Sequence, residues 1–229
     1  GNTNVKILIN SSGVLGSAGG GVGSNKRNIG AAGYGRDKGI FAYGYTGSVT
    51  NAKNLVSNEG VVSSDATGAG TARQSMQATT YGGDKAIFGY GLDSSRQSMT
   101  NLVTNQGVVG SDVSGVGTGR QGPGAAGYGT GLAIFAYGEA SGSNFTNVSN
   151  KVSFTGVVAS DTTGVGTGRY QVAASNYGGD KAIFFGGENA SSKVGMTNLV
   201  SNTGVVGSDV SAVATAREAS AAAGYSYNA

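Results

Sequence analysis

The feature of this chain that most constrains its fold is a tandem repeat of about 47 residues. The phrase "KAIFGYG" occurs in four versions, at 38–44, 85–91, 132–138 and 181–187. A second phrase, "NLVSNxGVVxSDxxGxGTxR", occurs in five versions, which begin near Ile7, Asn54, Asn101, Asn150 and Asn198. Self-similarity at a fixed period of this length is typical of repeat architectures, in which one supersecondary unit is copied along the chain.

The spacing inside the repeat separates a constant framework from a variable connection. Three copies keep the same intervals from the Asn to the following Phe, as between Asn54 and Phe88. The interval from Phe to the next Asn varies: it is 13 residues after Phe41 and Phe88, 15 after Phe135 and 14 after Phe184. A one-residue slip would turn every side chain of a strand to the opposite face, so we expect the constant part to form the sheets. The variable part should contain an exposed loop.

Each repeat contains four short strand candidates separated by turn residues, and no segment shows a sustained helical period. Four short strands in 40–50 residues are typical of a β-propeller blade. The sequence therefore predicts an all-β fold, a five-bladed β-propeller that forms a single domain over 1–229. Four blades occupy about 26–72, 73–119, 120–168 and 169–213. The fifth blade combines 1–25 with 214–229, so that N- and C-terminal strands close it, and it lacks a strand of the "KAIFGYG" type.

The composition limits the chemistry that the chain can perform. It contains neither cysteine nor histidine, which excludes disulfides, zinc-thiolate sites and a histidine general base. No copy of the repeat carries an added acid–base cluster, so we predict no catalytic residue, no metal site and no cofactor. The 15 basic and 12 acidic residues are spread along the chain, without the basic clusters of nucleic-acid-binding proteins. No apolar stretch approaches the roughly 20 residues of a membrane-spanning helix.

A charged pattern recurs in the framework, where an Asp is followed eight residues later by an Arg. In the first copy the corresponding residues are Ala18 and Lys26, so the acid is lost where the guanidinium is lost. We interpret the two as partners in structural ion pairs that lock the blades, with a repeated anion or sugar site as the alternative. The predicted pairs are Asp65 with Arg73, Asp112 with Arg120, Asp161 with Arg169, and Asp209 with Arg217.

The variable connections are the predicted place of specificity. They lie at 45–50, 92–99, 139–147 and 188–196 and differ in charge, aromatic content and length. Diverse loops on a constant framework are typical of a recognition surface, and drift in a solvated loop is the alternative. The candidate binding residues are Tyr45, Arg96, Glu139, Phe145, Glu188 and Lys193. Tyrosines also recur in phase, as at Tyr34, Tyr81 and Tyr128, where they either pack between blades or stack against a sugar ring.

The segment "RYQVAASNYGGDKAIFFGG" at 169–187 resembles a kelch-type repeat, including the double glycine at Gly186 and Gly187. The chain departs from kelch repeats in having no tryptophan. The phrases "GYGxDKAIFGYG" and "TNLVSNxGVVxSD" also resemble repeats of uncharacterised bacteriophage and large-virus proteins, often in virion appendages.

The resemblance implies a non-enzymatic structural or receptor-contacting propeller, located in a virion or at an extracellular surface. Its partners would be other virion or surface proteins, a host receptor or a glycan, and a homo-oligomer stays open. One alternative is a soluble propeller lectin that binds glycans at repeated sites. The other is a propeller enzyme, which the missing acid–base pair disfavours.

Overall fold

A computed structural model describes residues 5–9, 12, 14–212 and 214–224 of the chain. In this part the regular structure is β-strand, apart from one 3-10 turn at Ser141–Ser143, so the prediction of an all-β chain is confirmed. No helix among these residues is long and apolar enough to cross a membrane. The strands are β1 (Gly30–Tyr34), β2 (Lys38–Ala42), β3 (Lys53–Val56), β4 (Gln77–Tyr81), β5 (Lys85–Gly89), β6 (Thr100–Val103), β7 (Gly124–Tyr128), β8 (Leu132–Ala136), β9 (Glu139–Ala140), β10 (Asn144–Phe145), β11 (Ser149–Val152), β12 (Ala173–Tyr177), β13 (Lys181–Phe185) and β14 (Thr197–Val200).

Twelve of these strands form four three-stranded antiparallel sheets, and each sheet lies within one predicted repeat. The strand of the "KAIFGYG" type is the middle strand of its sheet, as β2 is between β1 and β3. The other three sheets have the orders β4-β5-β6, β7-β8-β11 and β12-β13-β14. Strands β9 and β10 form a separate two-stranded sheet inside the third variable connection.

The predicted fourth strand of each repeat does not form a continuous ladder. In the first repeat it is reduced to two isolated bridges, Lys53 with Ala66 and Val56 with Val62. Between them one backbone bond remains, from the Ser63 N–H to the Leu55 carbonyl at 2.8 Å. Side chains make the other contacts: the Leu55 N–H donates to the Ser63 hydroxyl at 2.8 Å, and the Asn54 amide donates to the Ser63 carbonyl at 3.0 Å. The regular sheet therefore has three strands where the sequence predicted four.

The two ends of the chain reproduce parts of a fifth repeat. Near the N-terminus, Lys6 bridges to Gly19 and Ile9 to Leu15, which is the bridge pattern of a third and fourth strand. Near the C-terminus, Gly224 lies against Asn176 of strand β12. The contact repeats one between earlier first strands, in which Gly127 of β7 lies against Thr80 of β4. We call residues 5–9 and 14–19 the N-terminal hairpin and 217–224 the C-terminal segment. The predicted seam extends further, but 1–4, 10, 11, 13 and 225–229 lie outside the described residues.

The core lies between successive sheets. First strands contact one another in chain order, β1 with β4, β4 with β7, and β7 with β12. On the second, third and fourth three-stranded sheets a buried Phe meets the Tyr of the preceding repeat edge to face, a geometry that adds about 0.5–1.5 kcal/mol beyond the area that it buries. The three ring pairs are Phe88 with Tyr43 at 5.3 Å, Phe135 with Tyr90 at 5.2 Å, and Phe184 with Tyr137 at 5.3 Å.

Equivalent residues of all five repeats line one cavity of about 470 Å³, which we call the common cavity. Their backbones form a chain of hydrogen bonds in which each N–H donates to the carbonyl of the preceding repeat, at 2.7–3.2 Å. All five residues adopt left-handed backbone conformations, with φ between 50° and 57°. They are Asn28, Ser75, Gly122, Gln171 and Ala219.

Candidate functional site

Three arginines of the repeat are fully buried between successive sheets. The guanidinium of Arg73 lies 4.5 Å from the centre of the Tyr43 ring in the preceding repeat. Its Nη2 donates to the Asn101 side-chain oxygen at 2.7 Å, and its Nε donates to the Tyr90 carbonyl at 2.8 Å. The same stacking and amide contact recur for Arg120 with Tyr90 and Asn150, and for Arg169 with Tyr137 and Asn198.

An aspartate completes each of these groups. The Asn101 amide donates to Asp112 Oδ1 at 2.9 Å, and the Thr71 hydroxyl donates to Asp112 Oδ2 at 2.8 Å. We call the set of Arg, Asn, Asp and Thr, with the stacked Tyr, an arginine cluster. Because its members come from two successive repeats, each cluster cross-links the sheets on either side of it.

The structure pairs the charged residues differently from the prediction. Arg73 approaches Asp112, at 4.0 Å between Nη1 and Oδ1, and Asp65 binds Lys26 at 2.6 Å. Arg169 likewise approaches Asp209, at 3.9 Å. Among the described residues, none of the four predicted ion pairs forms. These were Asp65 with Arg73, Asp112 with Arg120, Asp161 with Arg169, and Asp209 with Arg217.

The topology of the repeat explains why each Asp pairs with the preceding basic residue and not with the following one. The segment that carries the Asp folds back onto the third strand of its own repeat, so the Asp returns to the basic residue that opened that repeat and not to the one that opens the next. The change of Arg to Lys at Lys26 is therefore unrelated to the loss of the acid at Ala18, because Lys26 has its own partner in Asp65.

The pKa shifts in the clusters favour a structural role. Desolvation acts to raise the pKa of Asp65, but hydrogen bonds donated by Lys26, Ser24 and Asn54 outweigh it and hold the pKa well below its usual range. The pKa of Asp112 is lowered in the same way, despite desolvation, by bonds from Asn101 and Thr71. Burial raises the pKa of each stacked tyrosine, Tyr43, Tyr90 and Tyr137, to about 12. These carboxylates and phenols thus keep one protonation state at neutral pH, which does not suit proton transfer.

The fourth arginine of the series, Arg217, lacks the Tyr, Asn and Asp partners. It is exposed, and its Nε donates to the Thr215 carbonyl at 3.2 Å. By the spacing of the repeat, the stacked Tyr is replaced by Gly186, the Asn by Ile7 and the Asp by Ala18. None of these side chains can accept a hydrogen bond from a guanidinium, so no arginine cluster joins the C-terminal segment to the N-terminal hairpin.

The variable connections begin beside the common cavity. The first residue of each connection forms a backbone bridge to the residue that follows Lys26 or one of the buried arginines. The bridged residue directly precedes one of the left-handed residues that line the cavity. The bridges are Tyr45 with Arg27, Leu92 with Gln74, Glu139 with Gln121, and Glu188 with Tyr170. The four connections therefore begin at equivalent positions beside the cavity lining, and we call the surface that they form the loop face.

The six candidate binding residues contact neighbouring residues on the loop face. Arg96 donates to Glu139 at 2.6 Å, which joins the second connection to the third. The Phe145 ring lies 5.3 Å from that of Tyr170, which opens the fourth repeat. Tyr45 lies under the Arg27 guanidinium, at 4.7 Å from the ring centre.

The remaining two candidates meet the C-terminal segment. Lys193 pairs with Glu218 at 3.0 Å, and a hydrogen bond to Glu218 raises the pKa of Glu188. Sequence differences among the connections thus serve in part to hold adjacent connections together. The exposed tips consist mainly of small polar residues, such as Ser94 and Ser95.

The phased tyrosines support the packing interpretation. Tyr34, Tyr81 and Tyr128 are buried, and each lies over a glycine of the following repeat. Their rings are therefore inaccessible to a sugar.

Sequence reasoning missed two parts of the arginine clusters. The asparagines Asn101, Asn150 and Asn198 recur in phase at the second position of the third strands, and asparagine is depleted in strands. That signal could have identified them as polar contacts inside the core. The stacking of arginine on Tyr43 and its equivalents has no comparable signal, because the two residues lie 30–32 positions apart, in different repeats.

No protein-family model matches this chain, and no curated protein is significantly similar to it.

Proposed function

We propose that the chain is a non-enzymatic β-propeller module whose loop face recognises another molecule. The observation that carries the proposal is the position of the variable connections. They contain all the length variation of the repeat and begin at equivalent positions beside the common cavity, while the framework behind them is cross-linked by arginine clusters. A rigid framework that carries diverse loops is the usual design of a recognition module.

The common cavity supports curvature into five blades. Residues of all five repeats line it, among them Asn28 of the first and Ala219 of the fifth. In a propeller the equivalent residues of every blade face one central axis, which would account for a single shared cavity. We therefore place the repeats around a common axis, with the two terminal segments in the fifth position.

A distance measurement tests this arrangement, because the chain has no cysteine and accepts unique spin labels. Glu59, Thr155 and Thr203 are exposed and equivalent in the first, third and fourth repeats. In a five-bladed ring, the distance from 59 to 203 should equal the distance from 59 to 155, since both span two steps. In a straight stack the first distance should be half as long again, and that result from double electron–electron resonance would contradict the propeller.

Binding without catalysis is supported by the chemistry of the cavity. Among the described residues, those that line it carry no ionisable side chain; its polar groups are the amides and hydroxyls of residues such as Asn28, Gln77 and Gln171. The three buried arginines of the framework are engaged in the arginine clusters. Groups of these kinds can hold a ligand by hydrogen bonds and apolar contact, but they offer no acid–base pair.

The biological setting is proposed on the resemblance of the repeat phrases alone. On that basis the module belongs to a virion appendage or another extracellular surface, where it contacts a host receptor, a glycan or neighbouring surface proteins. Homo-oligomeric assembly fits the same setting.

Recognition by the loop face can be tested with a printed glycan array and a panel of bacterial cell surfaces. One variant replaces the exposed tips of the four connections by Gly-Ser segments of equal length. The matched control carries Glu59→Ser, Gln106→Ser, Thr155→Ser and Thr203→Ser in the exposed outer turns. Binding should be lost in the first variant and kept in the control. Binding that survives the tip replacement, or no binding to either panel, would contradict the proposal.

The same array separates the lectin alternative. Several equivalent sites for one glycan per chain would favour a propeller lectin, whereas one site per chain fits four connections that all differ.

A further inference from the structure

The fifth position of the array exposes apolar side chains whose equivalents are buried in the other repeats. Phe41 is 38% exposed, whereas Phe88, Phe135 and Phe184 are fully buried against the preceding repeat. On the other side, Tyr177 is 37% exposed, whereas Tyr34, Tyr81 and Tyr128 are 3–4% exposed. These two residues are the terminal members of the interface that continues from sheet to sheet through the array.

The N-terminal hairpin presents an unpaired edge to the same place. In complete repeats the third strand pairs with the middle strand, as Ile40 pairs with Leu55 and Phe41 with Asn54. The corresponding residues of the hairpin are Leu8 and Ile7, and they are 48% and 52% exposed. Among the described residues their only bridging segment is the other half of the hairpin, at 15–19.

The C-terminal segment presents the opposite edge. Residues 221–224 occupy the place of a first strand, because Gly224 lies against Asn176, yet the described part of the chain supplies no strand that pairs with them. Ala221 lines the common cavity together with Phe41. In the ring proposed above, on which this inference rests, the fifth position has a first-strand edge, a third-strand edge and an exposed aromatic ring. The described residues supply no middle strand between the two edges.

We propose that this position, bounded by 6–9, Phe41 and 221–224, is a docking site for one extended peptide strand from outside residues 1–229. The four complete sheets define its chemistry: a Lys or Leu, a small residue, Ile, Phe, a small residue, then Tyr-Gly. The added strand pairs antiparallel with both edges and places its Phe opposite Ile7. Its Tyr lies edge to face with Phe41, as Tyr43 does with Phe88. This is recognition by strand addition, in which main-chain hydrogen bonds supply affinity and alternate side chains supply specificity.

The fifth repeat has no arginine cluster, which is independent support for an open interface between the two ends of the array. An arginine cluster here would tie the C-terminal segment to the N-terminal hairpin without any added strand, but Gly186, Ile7 and Ala18 replace its partners. The site lies in the sheet interface and is separate from the candidate residues of the loop face.

The test uses a peptide with the sequence of residues 83–92, GDKAIFGYGL, against the 229-residue chain. Calorimetric titration should give one peptide per chain, and the melting temperature should rise with peptide concentration because the ligand binds the folded state. A scrambled peptide of the same composition should not bind. Equal binding of the scrambled peptide, or no binding of either, would overturn the proposal.

Variants locate the site. Ile7→Asp and Phe41→Ala should each abolish peptide binding, whereas Val108→Asp should not, since Val108 is equally exposed (56%) but lies on the outer edge of the second repeat. All three positions are exposed, so the variants should fold, and their melting curves without peptide verify this. Binding unaffected by Ile7→Asp would refute the assignment. A dimer of the unliganded chain that Ile7→Asp dissociates would show that a second copy occupies the site, which also refutes it.

Because the peptide does not touch the loop face, its failure to bind would leave the recognition proposal intact. Conversely, loss of glycan or cell binding in the tip variant would leave the strand-docking proposal intact.

Discussion

Replacing Asn101 by alanine should destabilise the fold by about 3–6 kcal/mol, because it removes two hydrogen bonds to charged groups from a buried cluster. The Asn101 oxygen accepts a 2.7 Å bond from the fully buried Arg73, and its amide donates to Asp112 at 2.9 Å and to the Gly110 carbonyl at 3.1 Å. Two of these three bonds involve charged groups, and such bonds contribute about 1.5–3 kcal/mol each. No water can replace them without opening the packed interface around Arg73.

The assay is urea unfolding followed by circular dichroism, in which a fall in the midpoint at constant slope reports a loss of stability. Asn105→Ala is the matched control, because Asn105 is exposed and bonds only to the side chain of Asp84. Its effect should stay within about 0.5 kcal/mol, as for most surface substitutions. If Asn101→Ala costs less than about 1 kcal/mol, or no more than the control, the arginine cluster does not stabilise the joint between repeats and the reasoning is wrong.

Three further predictions concern the same clusters. Gly117 and Gly83 both have positive φ, but a methyl group at Gly117 would collide with the Asp161 carboxylate, whereas one at Gly83 would face open space. In urea unfolding, Gly117→Ala should therefore reduce stability by about 1–3 kcal/mol more than Gly83→Ala, and equal losses would contradict the cluster geometry. The pKa of Asp65 is lower in the folded chain than the unfolded value of about 3.9, so its contribution to stability is complete above that pH and is lost as the pH falls below it. Melting temperatures measured between about pH 5 and 2 should show this loss, and Asp65→Asn should make the melting temperature fall less steeply with pH. Burial raises the pKa of Tyr43, Tyr90 and Tyr137 to about 12, against about 10 in the unfolded chain, so stability should fall between pH 10 and 12. Absorbance at 295 nm should show that these three tyrosines ionise later than the others. Ionisation of all tyrosines near pH 10 without unfolding would argue against their burial.

The sequence predicts the sheets well because their signal is local and repeated. The middle strands lie in the "KAIFGYG" phrases, and the third strands lie at the in-phase Asn positions of the second phrase. The ion-pair partners could not be predicted from spacing, since an eight-residue separation says nothing about the direction in which the intervening segment folds. The left-handed residues that line the common cavity include Asn28 and Gly122, which favour this conformation, but also Gln171 and Ala219, which do not. Tertiary contact with the neighbouring repeat sets their conformation, so no local pattern marks them.

The departure at Lys26 follows from the same contacts. In the arginine clusters the guanidinium needs two partners, a tyrosine face from the preceding repeat and an asparagine oxygen from its own repeat. The repeat before Lys26 supplies no stacked tyrosine among the described residues, and a planar guanidinium would have no advantage there over an ammonium. Lys26 reaches Asp65 directly at 2.6 Å and Asn54 at 2.7 Å, where Arg73 stands 4.0 Å from its Asp112. The lysine at position 26 is therefore consistent with a missing aromatic ring in the repeat before it. The rule does not extend to the other end of the array, because Arg217 keeps the guanidinium although Gly186 replaces its tyrosine.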